Sequence, residues 1–219
     1  MTSNSNLPVR SQSLLAASLA AVLLVPLFAL RRIGGFDFWW WMSLNVLLLV
    51  SFGLYSDKSY LSLILKDLQD GLLKKIGLGI LSAGLLYAVF FIGNEVSREI
   101  FPFAGTEIGQ VYSFKQNASA LRIMLLMIFI IGPGEELFWR GYLQRHWQNR
   151  FGKIKGFVIA AVLYALVHAA SGNIMLVLSA GVCGLFWGFL YLRTRSILTI
   201  CISHTLWDLM IFVFFTLGG

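Results

Sequence analysis

Residues 120–142 read ALRIMLLMIFIIGPGEELFWRGY. Apart from Arg122, positions 121–131 are apolar; the chain then passes through Gly132-Pro133-Gly134 into two adjacent carboxylates, Glu135 and Glu136, before reaching Arg140. A helix needs about 20 apolar residues to cross a hydrocarbon core about 30 Å thick. Positions 120–139 therefore read as a membrane span that carries charge near one end. Comparable runs recur at 14–30, 38–55, 76–93, 156–171, 174–192 and 196–216.

The whole composition agrees. Of 219 residues, 58% are hydrophobic and 12% charged, and the mean hydropathy is +0.79, a balance foreign to soluble domains. The expected fold is all-α, a polytopic membrane bundle of about seven helices. It forms one integrated domain: 1–119 supplies amino-terminal helices, an interfacial helix and an external loop, and 120–219 the motif-bearing core. No small-x-small cleavage site lies between Val22 and Arg31, so the first run reads as a retained helix. The net charge of +7 sits mostly in short connections and reports membrane topology; no nucleic-acid motif accompanies it. Cys183 and Cys201 fall inside spans, where thiols behave as small apolar groups.

Short loops rich in Lys and Arg stay cytoplasmic. One side carries twelve such residues (Arg10, Lys58, Lys66, Lys74, Lys75, Arg140, Arg145, Arg150, Lys153, Lys155, Arg193, Arg195) and the other five (Arg31, Arg32, Arg98, Lys115, Arg122). The first side is therefore expected in the cytoplasm with the amino terminus, although the Arg31-Arg32 pair argues locally the other way. Between the second and third spans, Leu61, Ile64, Leu65, Leu68 and Leu72 recur at helical spacing with charges on other faces, an interfacial amphipathic helix. Residues 94–119 read as an external loop or lid broken by Pro102, Gly105 and Gly109. Ala180, Gly184 and Gly188 make a small-residue stripe for close helix packing. No internal repeat or matched pair of broken helices supports a transporter.

Ionisable groups within spans cost several kcal/mol or more unless paired or functional. Three groups occur here. On a helix Glu136 and Arg140 are neighbours, so Arg140 neutralises Glu136 while Glu135 points about 100° away, free for chemistry. Gly132-Pro133-Gly134 is expected to kink or restart the helix and open space beside the carboxylates. Tyr164 and His168 share one face of the fifth predicted span, and His204 and Asp208 one face of the last. Taken singly, these are a helix-ending ion pair and two packing histidines. Taken together, a carboxylate and two histidines in one dry cavity can activate water and stabilise an oxyanion, which is what amide hydrolysis needs. Counted from the basic ends at about 1.5 Å per residue, Glu135 lies roughly 7 Å deep, His204 roughly 13 Å and His168 roughly 19 Å, suggesting a cavity that opens toward the cytoplasm.

Glu135-Glu136-x-x-x-Arg140, an aromatic residue four before His168, and His204 with a polar residue four later resemble, in order, the CPBP family of CAAX prenyl endopeptidases and bacteriocin-processing enzymes. The resemblance covers roughly residues 120–216. It implies an intramembrane glutamic endopeptidase acting on a membrane-associated peptide or protein. Glu135 would be the base, His168 a holder of the water and His204 part of the oxyanion site, with Glu136 and Arg140 bracing Glu135. The chain's compact size resembles bacterial members, implying a plasma-membrane protein. Two positions depart from the pattern. Tyr164 replaces a common phenylalanine but keeps the ring. Asp208 replaces the prenyl proteases' asparagine; ionised, it only accepts hydrogen bonds, so it either orients His204 or is protonated. No cofactor is expected, although Glu135, His168, His204 and Asp208 would also make a reasonable zinc ligand set. A silent membrane scaffold or immunity protein is the other alternative.

Overall fold

The computed structural model describes residues 9–116 and 118–217; the side chains of 9–11, Arg10 among them, lie outside the described part. The helices are α1 Val9–Leu30, α2 Phe38–Ser56, α3 Tyr60–Asp67, α4 Leu72–Ile100, α5 Ala104–Tyr112, α6 Ala120–Leu126, α7 Gly132–Glu136, α8 Arg145–Phe151, α9 Lys153–His168, α10 Ile174–Thr194 and α11 Ile197–Leu209. No strand occurs among the described residues. The bundle is all-α, as expected.

Among the described residues six helices are long and apolar enough to cross a membrane: α1, α2, α4, α9, α10 and α11 with its extension to Phe214. The remaining expected span, at 120–139, exists as a continuous helical run over 120–151 rather than as one regular helix. In it, π-helical turns at Met127–Ile131 and Leu137–Gln144 separate α6, α7 and α8. Each α-helical piece is therefore short.

Polar contacts sort the loops into two ends. At the basic end Arg145 pairs with Asp57, and Asp67 Oδ2 accepts from the Leu198 amide (2.8 Å) and the Ser196 hydroxyl (3.1 Å). At the far end Arg122 pairs with Asp37, the Arg31 guanidinium donates to Ser171 O (3.2 Å), and Asn173 donates to Glu107 O (2.8 Å). Glu107 also accepts from the Met175 amide (2.9 Å), capping α10.

Local chemistry explains the element ends. Asp37, Ser119, Asn173 and Ser196 cap their helices through side-chain oxygens that accept backbone N–H groups. The third span runs on to Ile100, beyond the expected 93, because nothing stops it before Pro102; Phe101, preceding that proline, is extended. The expected amphipathic helix is divided: α3 stops at Asp67, and Gly71, at φ 65°, turns the chain into α4. Leu61 and Leu65 on α3 and Leu68 at its C-cap remain exposed, an apolar face suited to a membrane surface. The loop at 94–119 is mostly helical, with α5 laid across the far end.

Small residues permit the tightest packing. A Cβ at Gly184 would sit 3.0 Å from the Ala161 carbonyl, and one at Gly188 would meet Phe157 at 2.8 Å, so the expected stripe is where α10 rests on α9. On α1, Ala16, Ala20, Leu24 and Leu27 are buried against α2 and α9.

Asp57 knots the basic end. Its carboxylate accepts from the Ser59 amide (3.0 Å) and hydroxyl (2.6 Å) and pairs with Arg145. Burial would raise its pKa, but the hydrogen bonds from Ser59 and Arg145 outweigh that and hold it below 3.8. A depressed carboxylate stabilises the fold above its unfolded pKa and loses that contribution as pH falls through the folded one. Asp57→Asn is expected to lower the thermal midpoint in detergent at neutral pH, with the gap to the parent closing below pH 3.8. A gap unchanged in acid would show that the charge is not what matters.

Candidate active site

Pro133 has no N–H to donate and crowds the carbonyl one turn back. The chain stays helical through it because the preceding turn widens: the Gly132 N–H bonds to Met127 O, five residues back. The expected break is thus a pair of π-helical stretches flanking α7. Gly134 faces Val46 of α2 so closely that a Cβ there would collide with its side chain. The widened turns and this contact hold Glu135 and Glu136 inside the bundle, 6% and 0% exposed.

The two carboxylates face different partners. Glu136 Oε1 accepts from Arg140 Nη1 (2.7 Å) and lies 2.7 Å from His204 Nδ1. The Arg140 Nη2 group donates to the carbonyls of Cys183 (3.3 Å) and Gly184 (3.4 Å). Glu135 Oε2 accepts instead from the Tyr164 hydroxyl (2.8 Å). The Arg140 guanidinium lies over the Tyr164 ring, 4.6 Å from its centroid. Glu136 therefore acts directly on His204, and Arg140 reaches His204 through Glu136 and Glu135 through the Tyr164 ring.

Both histidines are fixed at Nδ1. His168 Nδ1 is 2.7 Å from Tyr164 O; a carbonyl only accepts, so Nδ1 carries the hydrogen and Nε2 is left as acceptor in the neutral ring. His204 Nδ1 likewise faces a carboxylate oxygen, and its Nε2 is 3.5 Å from Asp208 Oδ2. The His204 ring stacks on Trp187 (centroids 3.8 Å apart, 18° between planes), and the His168 ring packs on Phe28 (4.3 Å).

Glu135, Tyr164, His168, His204 and Asp208 all line one largely apolar cavity of about 360 Å³, whereas Glu136 and Arg140 stand behind its wall. The motif residues expected from sequence are thus brought together. Trp187 and Phe28 were not expected. A tryptophan beside the small-residue stripe of α10 was a usable signal, but Phe28 is one apolar residue in an apolar run. Among the described residues no three His, Cys, Asp or Glu side chains converge as metal ligands would.

The cavity extends toward the end opposite the basic loops. Its walls reach Ser97, Phe101, Tyr112 and Leu217, which belong to the far end, away from the basic loops. Depths counted only from the basic ends hid this. His168 is the last residue of α9 and stands nearer the opposite end.

No curated protein and no solved structure matches the chain. Residues 117–210 match the family model described as type II CAAX prenyl endopeptidase, Rce1-like, so the family resemblance drawn from three separate motifs holds across the segment that carries those motifs.

Proposed function

We propose that the protein is an intramembrane endopeptidase that hydrolyses a peptide bond in a membrane-associated peptide or protein using water activated by Glu135. The observation that carries this reading is the division of labour between the carboxylates: Glu135 lies on the cavity wall with both histidines, while Glu136 is enclosed by Arg140 and His204. Glu135 takes a proton from water as the water oxygen adds to the scissile carbonyl carbon. His168, with Nε2 as acceptor, holds that water. His204, held between the Glu136 and Asp208 carboxyl groups as an imidazolium with hydrogens on both nitrogens, donates its Nε2–H to the carbonyl oxygen as it becomes an oxyanion, and Glu136 fixes the ring from behind. Asp208 orients His204. The proton held by Glu135 passes to the amide nitrogen, the C–N bond breaks, and a carboxylate and an amine leave.

Purified protein in proteoliposomes, given a library of membrane-spanning peptides, is expected to generate new carboxyl termini detectable by mass spectrometry. A full library without cleavage would overturn the reading. Chelators should leave the rate unchanged; loss restored by zinc would favour the metal-dependent alternative. Tyr164→Phe removes one hydrogen bond, worth about 1 kcal/mol, and keeps the ring under Arg140. Its kcat should fall by less than about tenfold; a thousandfold loss would make the hydroxyl a participant in the chemistry.

A further inference from the structure

The cavity mouth and the distribution of positive charge together say from which side a substrate arrives. No loop residue of 57–71, 145–153 or 194–196 lines the cavity. The basic end is closed beneath it: the Tyr60 hydroxyl donates to Leu137 O (2.5 Å), Asp67 ties α3 to the start of α11, and Tyr142 and Leu143 are fully buried. The opposite end is where Ser97, Phe101 and Ile108 frame the opening.

Charge gives the two ends their sides. Setting aside Arg140, which is inside the bundle, and Arg10, whose side chain is not described, ten of the seventeen Lys and Arg residues lie at the basic end and five at the far end. All five far-end cations are tied into the fold: Arg122 pairs with Asp37, Arg31 lies over the Phe114 ring (5.0 Å) while bonding to Ser171 O, and Arg32, Arg98 and Lys115 donate to the carbonyls of Gly34, Leu217 and Phe212. The Arg31-Arg32 pair thus has a structural role at the far end. By the preference of basic short loops for the cytoplasm, the closed end is cytoplasmic and the open end is not.

The opening also continues sideways. Val89 of α4 and Leu178 and Val182 of α10 line the cavity yet are 43%, 51% and 41% exposed, so its wall between these helices meets the lipid belt.

We propose that the cavity takes its substrate from the non-cytoplasmic leaflet: an apolar peptide segment enters between α4 and α10, beneath α5, and brings a peptide bond on that side of the membrane to Glu135. The final step rests on the hydrolytic reading above; the side of entry does not. An enzyme so arranged acts on segments that have already been inserted into or exported across the membrane.

Cysteine accessibility tests this. In a Cys183→Ala, Cys201→Ala background, Ile108→Cys reports the mouth, Ser179→Cys the cavity wall and Lys153→Cys the basic end. A membrane-impermeant maleimide should modify the first two in right-side-out vesicles and leave them unmodified in sealed inside-out vesicles, with Lys153→Cys showing the reverse. Two cavity reporters guard against one variant failing to fold. The opposite pattern, or cavity cysteines unlabelled in both preparations while Lys153→Cys is labelled, would overturn the proposal. Expected labelling without peptide cleavage would instead remove the hydrolytic reading and leave the side of entry standing.

Discussion

Glu135→Gln lowers the rate of peptide cleavage by about 10²- to 10⁴-fold, the range that a positioned general base contributes. The substitution is nearly isosteric. Its amide oxygen still accepts from the Tyr164 hydroxyl, whose contact with Glu135 Oε2 is 2.8 Å, so the side chain keeps its place. What is lost is the capacity to take a proton from water, and kcat should fall with little change in thermal midpoint. If the midpoint fell as steeply as the rate, Glu135 would be a structural group and the proposed chemistry would lose its base.

Arg140→Met carries the largest expected cost in stability. The guanidinium is 2% exposed and donates to Glu136 and to two backbone carbonyls. Its removal leaves the Glu136 carboxylate buried with His204 as its remaining partner, and breaking one side of a buried ion pair typically costs about 3–5 kcal/mol. Adding Glu136→Gln to that variant removes the stranded charge and should restore part of the stability, the non-additive behaviour expected of residues in contact. Cleavage should stay low in the double variant, because His204 then faces an amide in place of a carboxylate at Nδ1. Thermal unfolding of the single and double variants in detergent reads the first effect, and kcat the second.

The spans were legible because lipid imposes a simple rule: helices with apolar surfaces of fixed length. The Glu136–Arg140 pair was legible for a similar reason, since residues four apart on a helix meet. What sequence reading missed depends on contacts between helices or on departures from the regular helix. The π-helical turns around Pro133 break the 3.6-residue template by which the run was read. His204 meets Glu136 across 68 positions, and the Tyr164 hydroxyl meets Glu135 across 29. No local pattern encodes either contact. The Leu61–Leu72 periodicity was real, yet Gly71 divides it between α3 and α4. Depth along a helix is only half a coordinate, and the residues of α4 and α5 that line the cavity at the far end supply the rest.

The resemblance and the geometry support each other without duplicating the same information. The family match covers 117–210, whereas Phe28 of α1 and Val89 and Phe90 of α4 line the cavity from outside that segment. Substrate choice should therefore respond to changes in the amino-terminal helices, and the chemical step to changes in the matched segment.

The central claim is that Glu135 activates water for peptide hydrolysis, and single-turnover cleavage in H₂¹⁸O tests it most directly. With a cleaved membrane peptide in hand, the parent should place one ¹⁸O in each new carboxyl terminus, and Glu135→Gln, folded to the same thermal midpoint, should form almost none of that product. Labelled termini appearing at the parent's rate in Glu135→Gln would contradict the account.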